Sequence, residues 1–496
     1  MLFNSFEFAI FFAAFLSLFF SAPKSARPVV MLIASYIFYA AWRPSFLLLL
    51  LLTTVVDYTT AIVIDTARKP LLRKIALATA LSVNLGILFS VKYLDFMLAS
   101  FVGAAGFVGV EIPPLALNLI LPIGISFYTF QSVGYTLDVY NRVFPAERNL
   151  LFYSLYVAFF PQLVAGPIER ASHMLRQYRN WRPTTPDRIG SGLWLCAWGL
   201  FKKMCVADVV APFVNGVYAS PGSFDGSYTL LASVFFALQI YCDFSGYSDM
   251  AIGIARIIGV DLMTNFRQPY FASSLTDFWR RWHISLSTWF RDYLYIPLGG
   301  NRTTRPKWAR NTLIVFGVSG LWHGANWTFL IWGLWHGAAI VAEDLFRRMK
   351  FVARRKPLAV GAEAATVTVT DVRSWHGRLG NVVGVFYTLA IVLVGWVFFR
   401  ARDVPDAVHI LKSWTSLGDL SYGTFKILGI PSVELVVLVA NLALLIVVDG
   451  VLANKASLLR SLGRKPWAST TAAVLLAYNV ILWGAFGSFD FIYFQF

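Results

Sequence analysis

The chain has 496 residues, 57% of them hydrophobic and only 14% charged, with a mean hydropathy of +0.63 and a formal charge of +16. Soluble domains carry roughly 25% charged residues, so too few charges are present here to clothe a water-soluble fold. The basic balance does not point to nucleic acid, because no soluble basic segment is available to bind it; basic loops beside membrane spans and contact with anionic lipid account for it.

A spanning helix needs about 20 mostly apolar residues. Such runs fall at residues 6–20, 29–42, 46–64, 75–91, 115–135, 150–164, 191–214, 230–258, 311–341, 382–399, 433–452 and 470–486. They predict an all-α integral membrane protein with about 11–12 transmembrane helices, the shorter runs being interfacial or re-entrant. Residues 95–110 are ambiguous, because Gly103, Gly106 and Gly109 weaken a helix there. The first run carries Glu7 and no basic residue ahead of its apolar stretch, so it reads as a retained span and not as a cleaved signal.

Basic residues in short loops set the orientation. Lys24 and Arg27 follow the first run; Arg68, Lys69, Arg73 and Lys74 follow the third; Arg43 stands alone between the second and third. This pattern predicts a multi-pass protein with its N-terminus outside. Two later clusters, Arg302–Arg305–Lys307–Arg310 and the six basic residues between 347 and 356, extend the cytoplasmic face. Such a face also suits an acidic carrier protein or a coenzyme phosphate. Cys196, Cys205 and Cys242 lie in apolar surroundings without paired spacing and read as small buried hydrophobes.

No second domain and no repeat is visible, so residues 1–496 read as one domain. Residues 169–188 form an arginine-rich polar connector, 215–227 a loop rich in Gly and Ser, and 357–372 a flexible cytoplasmic linker. The end of the chain, 486–496, reads as an aromatic anchor at the membrane interface.

Two segments carry chemistry. In 274–302 (SLTDFWRRWHISLSTWFRDYLYIPLGGNR), Ser274 and Asp277 mark a helix start and Pro297 with Gly299-Gly300 its end. Helical spacing puts Phe278, Trp282, Leu286, Trp289 and Tyr293 on one face and Arg280, His283, Ser287 and Arg291 on the other. One reading is an amphipathic helix lying in the interface, with His283 on its solvated side. The other is a polar funnel in which Arg280, Ser287 and Arg291 hold a substrate beside His283. In 312–339 (TLIVFGVSGLWHGANWTFLIWGLWHGAA), His323 and His336 interrupt a stretch apolar enough to span. An ionisable side chain at bilayer depth usually faces a cavity or a partner. Gly317, Gly320 and Gly324 make a small-residue stripe near His323 that lets a backbone or a thin substrate come close. His323, flanked by Trp322 and Asn326, is therefore the site candidate, and His336 a packing residue. The alternative for either histidine is a structural bond to a backbone carbonyl.

Metal binding fails on spacing: no HExxH, no His pair at i, i+4 and no Cys–His cluster is present. A GxSxG elbow and a P-loop are missing too. A neutral imidazole activating a hydroxyl as general base is what remains. Asp57, Asp243, Asp249 and Asp449 sit in apolar runs. Pairing with Lys202, Lys203 or Arg256 accounts for them, with Asp243 also a candidate substrate contact.

At these residues the sequence resembles the membrane-bound O-acyltransferase family, in its bacterial alginate O-acetyltransferase-like branch. The resemblance rests on LPIGISFYTFQSVGY (121–135), FPQLVAGPIER (160–170), YCDFSGYSDMAIGIA (241–255), residues 277–302 and 320–337, and the terminal FIYFQF (491–496), in that order. It implies a ring of helices with funnels from both faces, the family's signature histidine at His323 and its second polar position at His283. It also implies a cytoplasmic acyl thioester donor, acetyl-coenzyme A being usual, with no bound cofactor. The acceptor would be an exported polysaccharide outside a bacterial inner membrane, reached with a periplasmic esterase-like partner. A multi-span transporter, or a scaffold of an exopolysaccharide export complex, is the rival reading of the spans and buried charges alone.

Overall fold

A computed structural model describes residues 1–113, 116–354, 378–463, 466–487 and 491–492. The linker expected at 357–372 and residues 493–496 of the terminal motif lie outside them. Among the described residues the elements are helices and helical turns, with no strand.

Proline opens many of the helices, as at Pro44–Thr66, Pro70–Leu88 and Pro186–Leu200, where the first-turn N–H has no partner to lose. Among the described residues six helices are long and apolar enough to cross a membrane: Pro44–Thr66, Pro70–Phe107, Gly226–Ile257, Trp327–Met349, Gly380–Arg400 and Ser432–Leu452. Phe6–Ser21, Arg27–Ala40 and Thr471–Trp483 are shorter apolar helices. Leu48, Leu52 and Val55 on Pro44–Thr66, like Val436 and Val439 on Ser432–Gly463, stand exposed as a lipid-facing surface requires. This is a multi-pass membrane protein.

Some apolar runs are not spans of their own. Residues 150–164 become the short helices Leu150–Ala158 and Phe160–Leu163, buried from Tyr153 onward. Of the run at 115–135, residues 116–124 are not helical, and helix Ile125–Tyr140 follows, in which residues 125–136 are all buried. Apolar sequence does not distinguish a protein neighbour from a lipid one, which is why the runs outnumber the long helices. The ambiguous stretch at 95–110 is the helix Leu94–Phe107, continuous with Pro70–Leu88 through a wide turn at Phe89–Tyr93. The loop expected at 215–227 is shorter, because Asp208–Ala219 stays helical and Gly226 opens the next helix.

Gly226–Ile257 is the most buried of the long helices, and glycine lets it lie against Pro186–Leu200. A Cβ on Gly199 would sit 2.5 Å from the Gly246 carbonyl oxygen, and one on Gly253 equally close to that of Gly192. The polar connector is tied down by ion pairs, Arg179 to Glu147 at 2.6 Å and Arg182 and Arg188 to Asp261 at 2.8 Å. The core divides into two clusters. One gathers Phe127, Phe130, Phe244, Trp289 and Trp322; the other Trp282, Phe329, Trp332, Trp396 and Phe399.

Candidate active site

The stretch expected to span at 312–339 is a hairpin. Helix Arg305–His323 stops at His323, Gly324 is extended, and Trp327–Arg354 runs back. Asn326 caps the second arm by accepting from the Thr328 N–H at 3.1 Å, and its amide donates to the Arg402 carbonyl at 3.0 Å. The arms touch backbone to backbone: a Cβ on Gly320 would lie 2.2 Å from the Phe329 carbonyl oxygen, and one on Gly333 2.1 Å from that of Phe316. The glycine stripe read beside His323 thus admits the hairpin's own second arm. His323, 4% exposed, sits at the tip between Trp322, Trp332 and Phe399, with ring centroids at 4.9, 5.0 and 5.3 Å.

His283 breaks its segment in two. Ser274 does cap a helix, accepting from the Asp277 N–H at 3.2 Å, but that helix ends at Arg281. His283 is left-handed (φ 42°, ψ 55°) and Ile284–Phe290 starts after it. A left-handed non-glycine residue costs roughly 1–2 kcal/mol, and here Asn265 holds it. The Asn265 Oδ1 accepts from His283 Nδ1 at 3.1 Å and from the Ser285 N–H and hydroxyl at 3.2 and 2.9 Å. Its Nδ2 donates to Ser248, which orients the amide. An acceptor at Nδ1 makes that nitrogen the donor, so the lone pair of His283 is on Nε2, which has no hydrogen-bond partner among the described residues.

The break turns His283 inward, 1% exposed, against Phe244 at 4.6 Å and Trp322 at 5.9 Å. The expected continuous amphipathic helix, with His283 on the same face as the arginines, is therefore corrected. Arg280 is exposed, Arg291 is exposed and pairs with Asp292 at 2.8 Å, and the Ser287 hydroxyl donates to the Trp282 carbonyl. Although the Ser287 N–H donates to the His283 carbonyl at 3.0 Å, none of these three side chains is gathered on the His283 ring. The imidazoles of His283 and His323 do come together: their centroids lie 6.3 Å apart, too far for a direct hydrogen bond, at the seam between the two core clusters.

A cleft of about 80 Å³ reaches His323. Its walls are residues 121–127, Val164, Trp322 and Lys92. Lys92 was not singled out in the sequence, although it stands one residue beyond an apolar run, where a charge is unusual. Its Nζ donates to the Trp322 carbonyl at 2.6 Å and the His323 carbonyl at 3.1 Å, and the Tyr93 hydroxyl donates to the Leu321 carbonyl at 3.0 Å. Asn265 was missed as well, since a single asparagine in a loop carries no periodic signal.

His336 is fully buried beside Trp279 and Trp332, at 5.0 and 5.3 Å, away from the cleft lining. Asp243 is committed elsewhere: its carboxylate pairs with Lys203 at 2.9 Å and accepts from the Ile492 N–H at 2.7 Å. Asp249 pairs with Lys202 at 2.6 Å. Asp57 accepts from the Asn84 amide and Asp449 from the Tyr241 hydroxyl, where a basic partner was expected for both.

The model of the membrane-bound O-acyltransferase family matches residues 141–357. The probable alginate O-acetylase of Azotobacter vinelandii is 39% identical over 411 residues, 83% of this chain and 77% of that one. The peptidoglycan O-acetyltransferase of Helicobacter pylori is 33% identical over 455 residues, 85% and 81% of the two chains. The teichoic acid D-alanyltransferase of Bacillus subtilis is 27% identical over 243 residues, 47% and 61%. With relatives of this likeness over most of its length, the chain belongs to the membrane-bound O-acyltransferase family and is an O-acyltransferase.

Proposed function

We propose that this enzyme moves an acetyl group from a cytoplasmic thioester, acetyl-coenzyme A, to hydroxyls of an exported polysaccharide on the outer side of a bacterial inner membrane, with His323 and His283 at the point of transfer. The observation that carries this reading is the pair of buried imidazoles 6.3 Å apart, of which His323 lines a cleft. Relatives named for alginate and peptidoglycan acetylation support a glycan acceptor. A periplasmic esterase-like partner that hands the acyl group on fits the same arrangement.

Sidedness supports vectorial transfer. The hairpin's open ends carry Arg305, Lys307, Arg347 and Arg348, which belong in the cytoplasm by the positive-inside rule. His323 lies about 27 Å along its arm at 1.5 Å per residue, near the outer boundary of a hydrocarbon core about 30 Å thick. In this reading the donor's acyl end comes from below and the hydroxyl from above. Arg291, shortly before the basic 302–310 loop, meets the donor's phosphates together with Arg280, and Trp322 walls the acyl path. His323 takes the hydroxyl proton as the oxygen attacks the thioester. His283, held by Asn265, offers its Nε2 lone pair to a second hydroxyl of the acceptor sugar, which orients the attacking one. Surrounding rings exclude water and limit hydrolysis.

The test is transfer of label from radiolabelled acetyl-coenzyme A in membranes holding the protein, a periplasmic partner and polysaccharide, at matched expression. His323→Ala is expected to lose at least about a hundredfold in rate, the lower end of general-base contributions. Undiminished transfer by that variant removes His323 from catalysis.

A further inference from the structure

Lys92 stands in the same cleft as His323. Of the described residues, Lys92 and His323 are the ionisable ones lining that cleft, and no carboxylate lines it. Among the described residues no carboxylate forms an ion pair with Lys92. The ammonium is instead held by the last two carbonyls of helix Arg305–His323, with the Trp322 ring 5.9 Å away. Helix C-terminal carbonyls carry partial negative charge and attract a cation. They satisfy two of the three N–H donors and leave one, with most of the positive charge. A charge kept in so apolar a wall, with no counter-ion, is costly unless it acts on something. Lys202 and Lys203 mark the contrast, each paired to a carboxylate.

We propose that Lys92 is the positioning cation of the transfer site: two of its N–H groups clamp the peptide segment that carries His323, and its charge faces the negative oxygen formed during acyl transfer. The inference rests on the acyl-transfer reading of His323. In that step the acceptor hydroxyl oxygen bonds to the thioester carbonyl carbon, the carbonyl π pair moves onto its oxygen, and the hydroxyl proton passes to the His323 imidazole. Collapse reforms the C=O bond, breaks the C–S bond and expels the thiolate, which takes the proton back from His323. No further reactant is needed. The oxyanion exists only between these two events, so a fixed cation in a water-poor cleft stabilises the transition state more than either ground state.

The experiment measures kcat and donor KM for wild type, Lys92→Met, Lys92→Arg, Tyr93→Phe and His323→Ala, each with a thermal melt in detergent. Lys92→Met keeps the length of the side chain without charge or donors. It is expected to lower kcat about a hundredfold, the scale of losing one oxyanion-stabilising group, with donor KM changed less than about twofold. Lys92→Arg, which keeps the charge and can bond two carbonyls, should recover at least about tenfold of that loss. Tyr93→Phe removes the neighbouring carbonyl bond and no charge, and so reports the effect of a lost helix cap alone. Wild-type kcat in Lys92→Met overturns the proposal. So does a loss that Lys92→Arg does not recover and that follows the melting temperature, since that is a plain folding role. Full transfer by His323→Ala overturns the reading of the site itself and the Lys92 role with it, whereas an inactive His323→Ala beside a fully active Lys92→Met sinks the Lys92 inference alone.

Discussion

Asn265 shows how much one side chain decides. A single carbonyl oxygen accepts three hydrogen bonds and fixes both the left-handed turn at His283 and the direction of its ring. Asn265→Ala strands those donors in a buried place, at about 1–3 kcal/mol for an unsatisfied group. The expected result is a lower melting temperature together with reduced acetyl transfer. Unchanged transfer at a lowered melting temperature would remove His283's orientation from the mechanism. Outside the spans, His173 on the connector helix Ala171–Arg179 gives its Nδ1 to Glu169 at 2.7 Å, and that bond raises its pKa above the usual histidine value. A group whose folded pKa is raised stabilises the fold most below its unfolded pKa, and the contribution fades as pH rises through the folded value. Melting of wild type is therefore expected to exceed that of His173→Gln at acidic pH, with the two converging at alkaline pH. Parallel curves at all pH values would refute this.

At the scale of the element, the hairpin is the device that puts His323 at a tip. Its arms meet where Gly320 and Gly333 leave no space for a side chain. Gly333→Val should force them apart at the cost of overpacking, about 1–3 kcal/mol or more, and displace His323 from the cleft. Detergent melts and transfer rates should fall together, and retention of both would show that the contact is not needed. Helix Gly226–Ile257 is held differently. Lys203 joins Asp208 and Asp243, and Asp243 in turn holds the backbone at Ile492. Removing one partner of a buried ion pair costs about 3–5 kcal/mol, so Asp243→Ala should be among the most destabilising substitutions outside the cleft. A melt within a degree of wild type would contradict that.

For the molecule as a whole, orientation is the consequence to check. In the proposed orientation the basic hairpin ends lie inside and the tip at 324–326 faces outward. Ala325→Cys is expected to react with a membrane-impermeant maleimide in intact spheroplasts, and Lys307→Cys only after permeabilisation. The reverse pattern would invert the protein and the direction of transfer.

The sequence by itself determined that the chain is helical, spans a membrane and carries His323 in a segment where an ionisable group is unusual. Composition and period suffice for that, because lipid selects apolar residues one position at a time. It also pointed to His283, but on the wrong local structure. Helical spacing extrapolates a regular helix through Trp282, whereas the turn there depends on Asn265, 18 residues away. The pairing of His283 with His323, the clamp of Lys92 on carbonyls 230 and 231 positions distant, and the commitment of Asp243 to Lys203 exist only in the fold. The number of long spans was decided there as well, because whether an apolar helix meets lipid or protein depends on its neighbours and not on its own residues.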